Sequence, residues 1–321
     1  MPEAGTPAVA LESWKHLLGE QPEILEHFEG RDLWRVKAGD GRCFYLKRYG
    51  PWRNLPLVDE ARVLRYLASN GITVAEMLPT YAGVIHAGNV EESFVLFPEL
   101  ESVQLNAAET LASEPAIGHA MARLHHVLAR YPGPIYAYHE RLEHTLQHDM
   151  LLPSSLERLF VARKDEMLSA LSHLPTQIVH GDMTPGNILM KEPGVVSGFI
   201  DFDHLPFAPR AWDIAKYLSR RLRMRWRAED ATASHDRCDH IAPFLRAYIA
   251  ANPLTSGEIA AIPSLIAAAN VIETSYFLQI SAGTLPRRML ADHEAVTADS
   301  AEAAEWQFRH WNVVSSAIDS I

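Results

Sequence analysis

The chain has 321 residues, 48% of them hydrophobic and 21% charged, which excludes a disordered chain and gives room for two core-forming units. Its 29 Lys and Arg against 40 Asp and Glu leave a net charge of −11, a field that disfavours nucleic acid and anionic membrane surfaces and is compatible with a cationic small molecule. Cys43 and Cys238 have no spaced partners, which argues against a disulfide framework or a zinc site and fits a reducing compartment.

The start, Met1-Pro2-Glu3-Ala4-Gly5, lacks the basic and apolar regions of a signal peptide, so a cytoplasmic protein is expected. Residues 9–18 space apolar side chains at helical intervals and predict a packing helix. Short strands follow at Ile24–Phe28, Leu33–Lys37 and Arg42–Tyr49, with Ala38-Gly39-Asp40-Gly41 as a turn, which makes an antiparallel meander. The turn between the first two strands, Glu29-Gly30-Arg31-Asp32, holds a single glycine and falls short of a phosphate-cradling Gly-rich loop.

Lys47 lies beside an apolar patch on the third strand. In the helix predicted over Leu55–Ser69, Glu60, Leu64 and Leu67 share one face. A carboxylate on a core-facing stripe needs a partner, and Lys47 is the partner expected for Glu60. Strands at Val84–Ala87 and Phe94–Phe97 complete a sheet of about five strands.

Beyond residue 103 strands nearly vanish. Ile117, Met121, Leu124 and Leu128 form the core stripe of a helix over Ala116–Tyr131, with His125 and His126 expected to be structural. Tyr136–Ala170 supplies two or three further helices. Asp213 opens another helix. Arg220–Arg227, rich in arginine, is expected to be the solvated face of that helix, and Glu229–Asp239 a polar loop. Thr255-Ser256-Gly257-Glu258 is a capping box that opens a helix through Gln279. Its most apolar part, Ile259–Ile272, is interrupted by Pro263, Ser264 and Asn270 and is too short to span a bilayer. A last helix is predicted over Asp299–Ser320; Tyr276, Phe277, Trp306 and Trp311 offer either core packing or a cage for an organic cation.

The chemistry concentrates in His180-Gly181-Asp182-Met183-Thr184-Pro185-Gly186-Asn187-Ile188-Leu189 and, after a hairpin turn at Lys191–Gly194, in Phe199-Ile200-Asp201-Phe202-Asp203. A strand, a polar loop and a β-hairpin bring Asn187 and Asp201 to one place, an oxygen set suited to a hard cation such as Mg²⁺, with Asp182 left to receive a proton. The bland alternative is a buried hairpin whose Asp and Asn side chains cap turns.

These residues resemble the catalytic core of the aminoglycoside phosphotransferase and choline kinase group, small-molecule kinases with a protein-kinase-like fold. The resemblance implies an α+β fold of two lobes: an N-terminal helix over 1–21, a small lobe with an antiparallel sheet over 22–98, a hinge over 99–103 and a mainly helical lobe over 104–321. It implies ATP and Mg²⁺ as cofactors, Asp182 as catalytic base, Asn187 and Asp201 as metal ligands, and Lys47 fixed by Glu60 on the nucleotide phosphates. Phe97-Pro98-Glu99-Leu100 resembles the lobe-joining hinge, where the Pro98 carbonyl and the Leu100 N–H would meet adenine. Asp213 resembles the buried aspartate that holds the catalytic-loop backbone. Many members of the group carry His at the position of Thr184. The implied acceptor is a hydroxyl of a small molecule, with no nucleic acid or membrane partner. The rival reading is a catalytically silent kinase-like scaffold; the acceptor and the oligomeric state stay open.

Overall fold

The computed structural model describes residues 6–28, 30–50, 55–89, 92–135, 142–148, 150–226, 238–284, 293–319 and 321. The amino-terminal segment folds as α1 (Pro7–Leu11), a 3₁₀ turn (Glu12–Trp14) and α2 (Lys15–Leu18), three short pieces where one helix was expected. Trp14 anchors them: it is fully buried and donates Nε1–H to Leu78 O at 2.8 Å.

The meander follows as β1 (Glu23–Phe28), β2 (Leu33–Lys37) and β3 (Cys43–Tyr49), then α3 (Leu57–Ser69), β4 (Ala87–Gly88) and β5 (Ser93–Pro98). The five strands pair antiparallel in the order β1-β2-β3-β5-β4. Val84 and Ile85, expected in the fourth strand, fall outside β4. Alternation along β3 sets the lobe's two faces. Phe44 and Leu46 pack under Trp14 and Leu18, whereas Lys47 and Tyr49 lie on the face that meets α3 and the larger lobe. On α3, Glu60, Val63, Leu64 and Leu67 are all buried.

The second lobe begins with α4 (Ala107–Ala112), opened by a capping box between Asn106 and Glu109, and α5 (Glu114–Leu128). The predicted stripe Ile117, Met121, Leu124 and Leu128 is no more than 4% exposed, each side chain contributing about 1.5–3 kcal/mol through burial. Next come α6 (Leu142–Gln147), α7 (Ser154–Val161), α8 (Lys164–Leu171) and β6 (Thr176–Ile178). The hairpin β7 (Ile188–Glu192) and β8 (Val195–Phe199) forms as the sequence predicts, and β9 (Phe207–Pro209), which was not foreseen, pairs with β6.

The rest is helical: α9 (Arg210–Trp226), α10 (Ile241–Ala251), α11 (Ser256–Ser281), α12 (His293–Arg309) and α13 (Trp311–Asp319). The Thr255–Glu258 capping box opens α11. That helix is long and apolar enough to cross a membrane, but 78% of its apolar window is buried between α8, α9 and α12.

Three expectations are corrected here. Arg220, Arg221 and Arg223 of α9 are not a solvated face, and Arg227 lies outside the described residues. Arg221 and Arg223 are 3% and 6% exposed; Arg221 Nε bonds Glu114 at 2.7 Å, and Glu273 takes both Arg223 at 2.6 Å and Arg220. The last helix is split at His310, whose ring stacks on Trp306. The four aromatics form no cage, because Trp306, Trp311 and Phe277 are buried and Trp311 lies against Phe308 and under the Arg163 guanidinium. Residues 229–237 of the expected polar loop lie outside the described residues.

Candidate active site

Catalytic-loop geometry is set by β6 and by the segment leading into β9. Val179 N donates to Pro206 O at 3.0 Å and Leu205 N to His180 O at 3.2 Å, so the chain after Asp203 runs back against the loop. Gly181 makes the close approach feasible: its φ is 84°, and a Cβ there would lie 2.3 Å from Pro206 Cδ. The buried His180 ring ties the loop to the metal-side strand. Ile200 O can only accept, so Nε2–H donates to it at 2.9 Å, which leaves Nδ1 to accept the Asp182 N–H at 3.3 Å.

From below, fully buried Asp213 accepts from His180 N at 2.8 Å, Gly181 N at 2.9 Å and His125 Nε2 at 3.0 Å. Burial pushes its carboxyl up, but His125 and the loop amides outweigh that and hold it below the usual carboxylate range. His125, which also contacts Tyr248 OH at 2.7 Å, is thus structural, as its sequence context predicts.

Asp182 itself is 32% exposed at the side chain, and its Oδ1 accepts from Lys216 Nζ at 2.9 Å. The Lys216 ammonium beside it holds the Asp182 carboxyl well below the usual range against the opposing effect of burial. Lys216 was not singled out from sequence. Its signal was the spacing from Asp213, which places both on one face of α9 one turn apart.

Asn187 ends the 3₁₀ turn over Pro185–Asn187, and its Nδ2 donates to Asp182 O at 2.8 Å, which leaves Oδ1 as the free acceptor end. Ile200 N donates to Asn187 O at 3.1 Å, so the hairpin carries Asn187 and Asp201 to neighbouring positions.

Lys47 departs from expectation. Its ammonium lies 3.1 Å from Asp203 Oδ2, bonds Asp201, and sits 4.8 Å from the Tyr49 ring centroid. The Lys47–Glu60 ion pair is not formed. Glu60 Oε1 instead accepts from Tyr49 OH at 3.1 Å, Oε2 has no partner, and burial pushes the carboxyl up to about 8. The physical reason is competition: two carboxylates on the larger lobe outbid one for the same ammonium. Asp203 closes the Phe199–Asp203 run in the sequence; its salt bridge to Lys47 was missed.

At the hinge, Glu99 N donates to Cys43 O at 3.1 Å, which puts the neighbouring Phe44–Pro98 pair at a position without ladder bonds. The missing N–H of Pro98 therefore costs the sheet nothing. Arg35 grips Glu99 through two bonds of 2.8 and 3.0 Å, and Leu100 N–H has no partner among the described residues.

Among the described residues no group of three or more His, Cys, Asp or Glu forms a metal cluster. Asp201 and Asp203 nevertheless converge on one cation, the Lys47 ammonium, and two carboxylates are oxygen donors of the kind that Mg²⁺ takes.

The profile of the Phosphotransferase enzyme family matches residues 23–249, and the chain belongs to that family. An uncharacterized protein of Deinococcus radiodurans is 26% identical over 272 residues, 78% of this chain and 74% of its own length. Among solved structures, the amicoumacin kinase hAmiN in complex with AMP-PNP, Ca²⁺ and Ami superposes with a TM-score of 0.65 at 21% identity, covering 89% of this chain and 88% of that one. The microcompartment-associated aminopropanol kinase gives 0.66 at 16% identity, covering 91% and 93%. The fold is therefore the two-lobed, protein-kinase-like α+β architecture.

Proposed function

We propose that the protein is an ATP-dependent small-molecule kinase that moves the γ-phosphate to a hydroxyl group of an amino sugar, amino alcohol or similar acceptor. The observation that carries this reading is that Asp182, on its Asp213-braced loop, lies within electrostatic reach of Asp203, which together with Asp201 holds Lys47. The AMP-PNP and divalent ion in the amicoumacin kinase complex support the same cofactor class. A cytoplasmic location belongs to this reading and is supported by the two free cysteines.

Phosphoryl transfer asks the protein mainly for alignment and charge compensation. Asp182 accepts the hydrogen bond of the acceptor hydroxyl and takes its proton as the new O–P bond forms and the bond to the ADP leaving oxygen breaks. Asn187 and Asp201, with Asp203 beside them, would hold Mg²⁺, which when bound supplies neutralisation of the phosphate oxygens. Lys47 grips the nucleotide phosphates once released from its two carboxylates. Pro98 O and Leu100 N–H are the hinge groups for adenine.

The test is a phosphorylation screen over amino alcohols, amino sugars and ribosides, with Asp182→Asn as control. Turnover that falls on the order of a thousandfold in the variant supports the base. Turnover unchanged in Asp182→Asn removes it, and no turnover on any acceptor removes the kinase reading.

A further inference from the structure

Helix α9 (Arg210–Trp226) grips the catalytic loop by both polarities of its backbone. Asp213 takes the N–H groups of His180 and Gly181 at 2.8 and 2.9 Å. One turn later, Lys216 gives Nζ–H bonds to Gly181 O and to Asp182 Oδ1, both at 2.9 Å. The ammonium is thus anchored to the backbone before it reaches the carboxylate. Its side chain is only 21% exposed, and the Trp212 ring lies 5.8 Å away, so the lysine is packed in place.

Among the described residues Lys216 is the one hydrogen-bond donor to the Asp182 carboxylate, with His204 and His180 acting on it only through their charge. Between His180 and Asn187 the loop carries no lysine or arginine. Asn187 spends its Nδ2 on the Asp182 backbone carbonyl, and among the described residues no other side chain hydrogen-bonds the Asp182 carboxylate. The nearby acid that could draw Lys216 away, Glu273, is already held by Arg220 and, at 2.6 Å, by Arg223. The buried arginines of α9 therefore have a consequence at the site: they keep Lys216 on the loop.

We infer that Lys216 is a positioning residue for phosphoryl transfer, pinning Oδ1 of Asp182 so that Oδ2 is presented to the acceptor hydroxyl. The inference rests on the kinase reading above. The acceptor oxygen bonds to the γ-phosphorus, the bonding pair of the broken P–O bond leaves with ADP, and the hydroxyl proton passes to Oδ2. An unpinned carboxylate samples several rotamers, and misplacement of about 1 Å at such a group costs on the order of a hundredfold in rate.

The experiment compares wild type, Lys216→Met, Lys216→Arg, Asp182→Asn and the Asp182→Asn/Lys216→Met double variant on an acceptor found in the screen. Thermal melting with and without Mg²⁺–ATP serves as the folding check. We expect Lys216→Met to lose kcat by on the order of 10- to 100-fold while KM for ATP stays within about twofold. Lys216→Arg should recover part of the loss, and the double variant should be no slower than Asp182→Asn alone. If Lys216→Met fails the folding check, Lys216→Arg and Lys216→Gln, which retain a donor to Gly181 O, are compared in its place. A kcat within twofold of wild type in the lysine-free variant, a loss confined to KM, or an additive double variant overturns the inference while leaving the kinase reading intact. A wild type silent toward every acceptor overturns both.

Discussion

Lys47 and Glu60 stand on facing elements, β3 and α3, yet the ammonium of Lys47 is turned to Asp203 at 3.1 Å and to Asp201, leaving Glu60 Oε2 without a partner. Burial raises the Glu60 carboxyl from its usual 4.5 to about 8. A group whose folded pKa is raised contributes stability that is present below pH 4.5 and lost as pH rises through 8. Glu60→Gln should accordingly stabilise the nucleotide-free protein by about 1–3 kcal/mol near pH 8, the order of cost of a buried unsatisfied group, and by almost nothing near pH 4. Melting curves of both proteins across that range check it; a difference that is flat with pH contradicts it.

Magnesium should be needed to release Lys47. Saturating ATP with Mg²⁺ is expected to raise the melting temperature, since a ligand at a hundred times its Kd adds about 2.7 kcal/mol. EDTA should abolish most of the shift, and Asp201→Ala should show the same small shift with or without Mg²⁺. Equal Mg²⁺-dependent shifts in wild type and Asp201→Ala would favour the nucleotide-binding scaffold over the kinase.

Asp213 makes three hydrogen bonds, two to the loop amides of His180 and Gly181 and one to His125 on α5, and its carboxyl is held below the usual 3.8. A depressed pKa means stability that is present above pH 3.8 and lost as pH falls through the folded value. Asp213→Asn, which supplies one acceptor oxygen in place of two, should cost about 3 kcal/mol at pH 7. The gap to wild type should narrow below pH 4, as read by denaturant unfolding.

Gly181→Ala should be among the most damaging small substitutions. It places a side chain on a residue with φ of 84° and a Cβ within 2.3 Å of Pro206 Cδ. Strain and overpacking together predict a loss of about 2–4 kcal/mol, with activity reduced even in protein that still folds. Unchanged melting and turnover would show that the loop has another way to pass Pro206.

Much of this was legible in the sequence because local rules and global fold agree. The meander, the stripe on α5, the β7–β8 hairpin and the α11 capping box each follow from turn chemistry or periodicity that the packing does not contradict. What escaped depends on long-range competition. Periodicity offers Glu60 to Lys47 but is blind to Asp203, which reaches the ammonium from the other lobe. A run of arginines looks solvated until α5 supplies buried Glu114 and α11 half-buried Glu273. In the same way β9 is three residues whose only reason to be a strand is β6.

The β7–β8 hairpin is fastened on both sides. Phe199 N bonds Thr73 O at 3.0 Å just past α3, Val103 N beyond the hinge bonds Met190 O at 2.8 Å, and a Cβ on Gly198 would meet Thr73 O at 2.8 Å. Any rocking of the sheet over the helices must therefore pull on this ribbon, which the bonds from His180 to Ile200 O and from Asn187 to Asp182 O also tie to the catalytic loop. Asp182 and Asp201 are thus coupled through the ribbon, and the separation left for a nucleotide to open is the one between Lys47 on the sheet and the acids of the larger lobe.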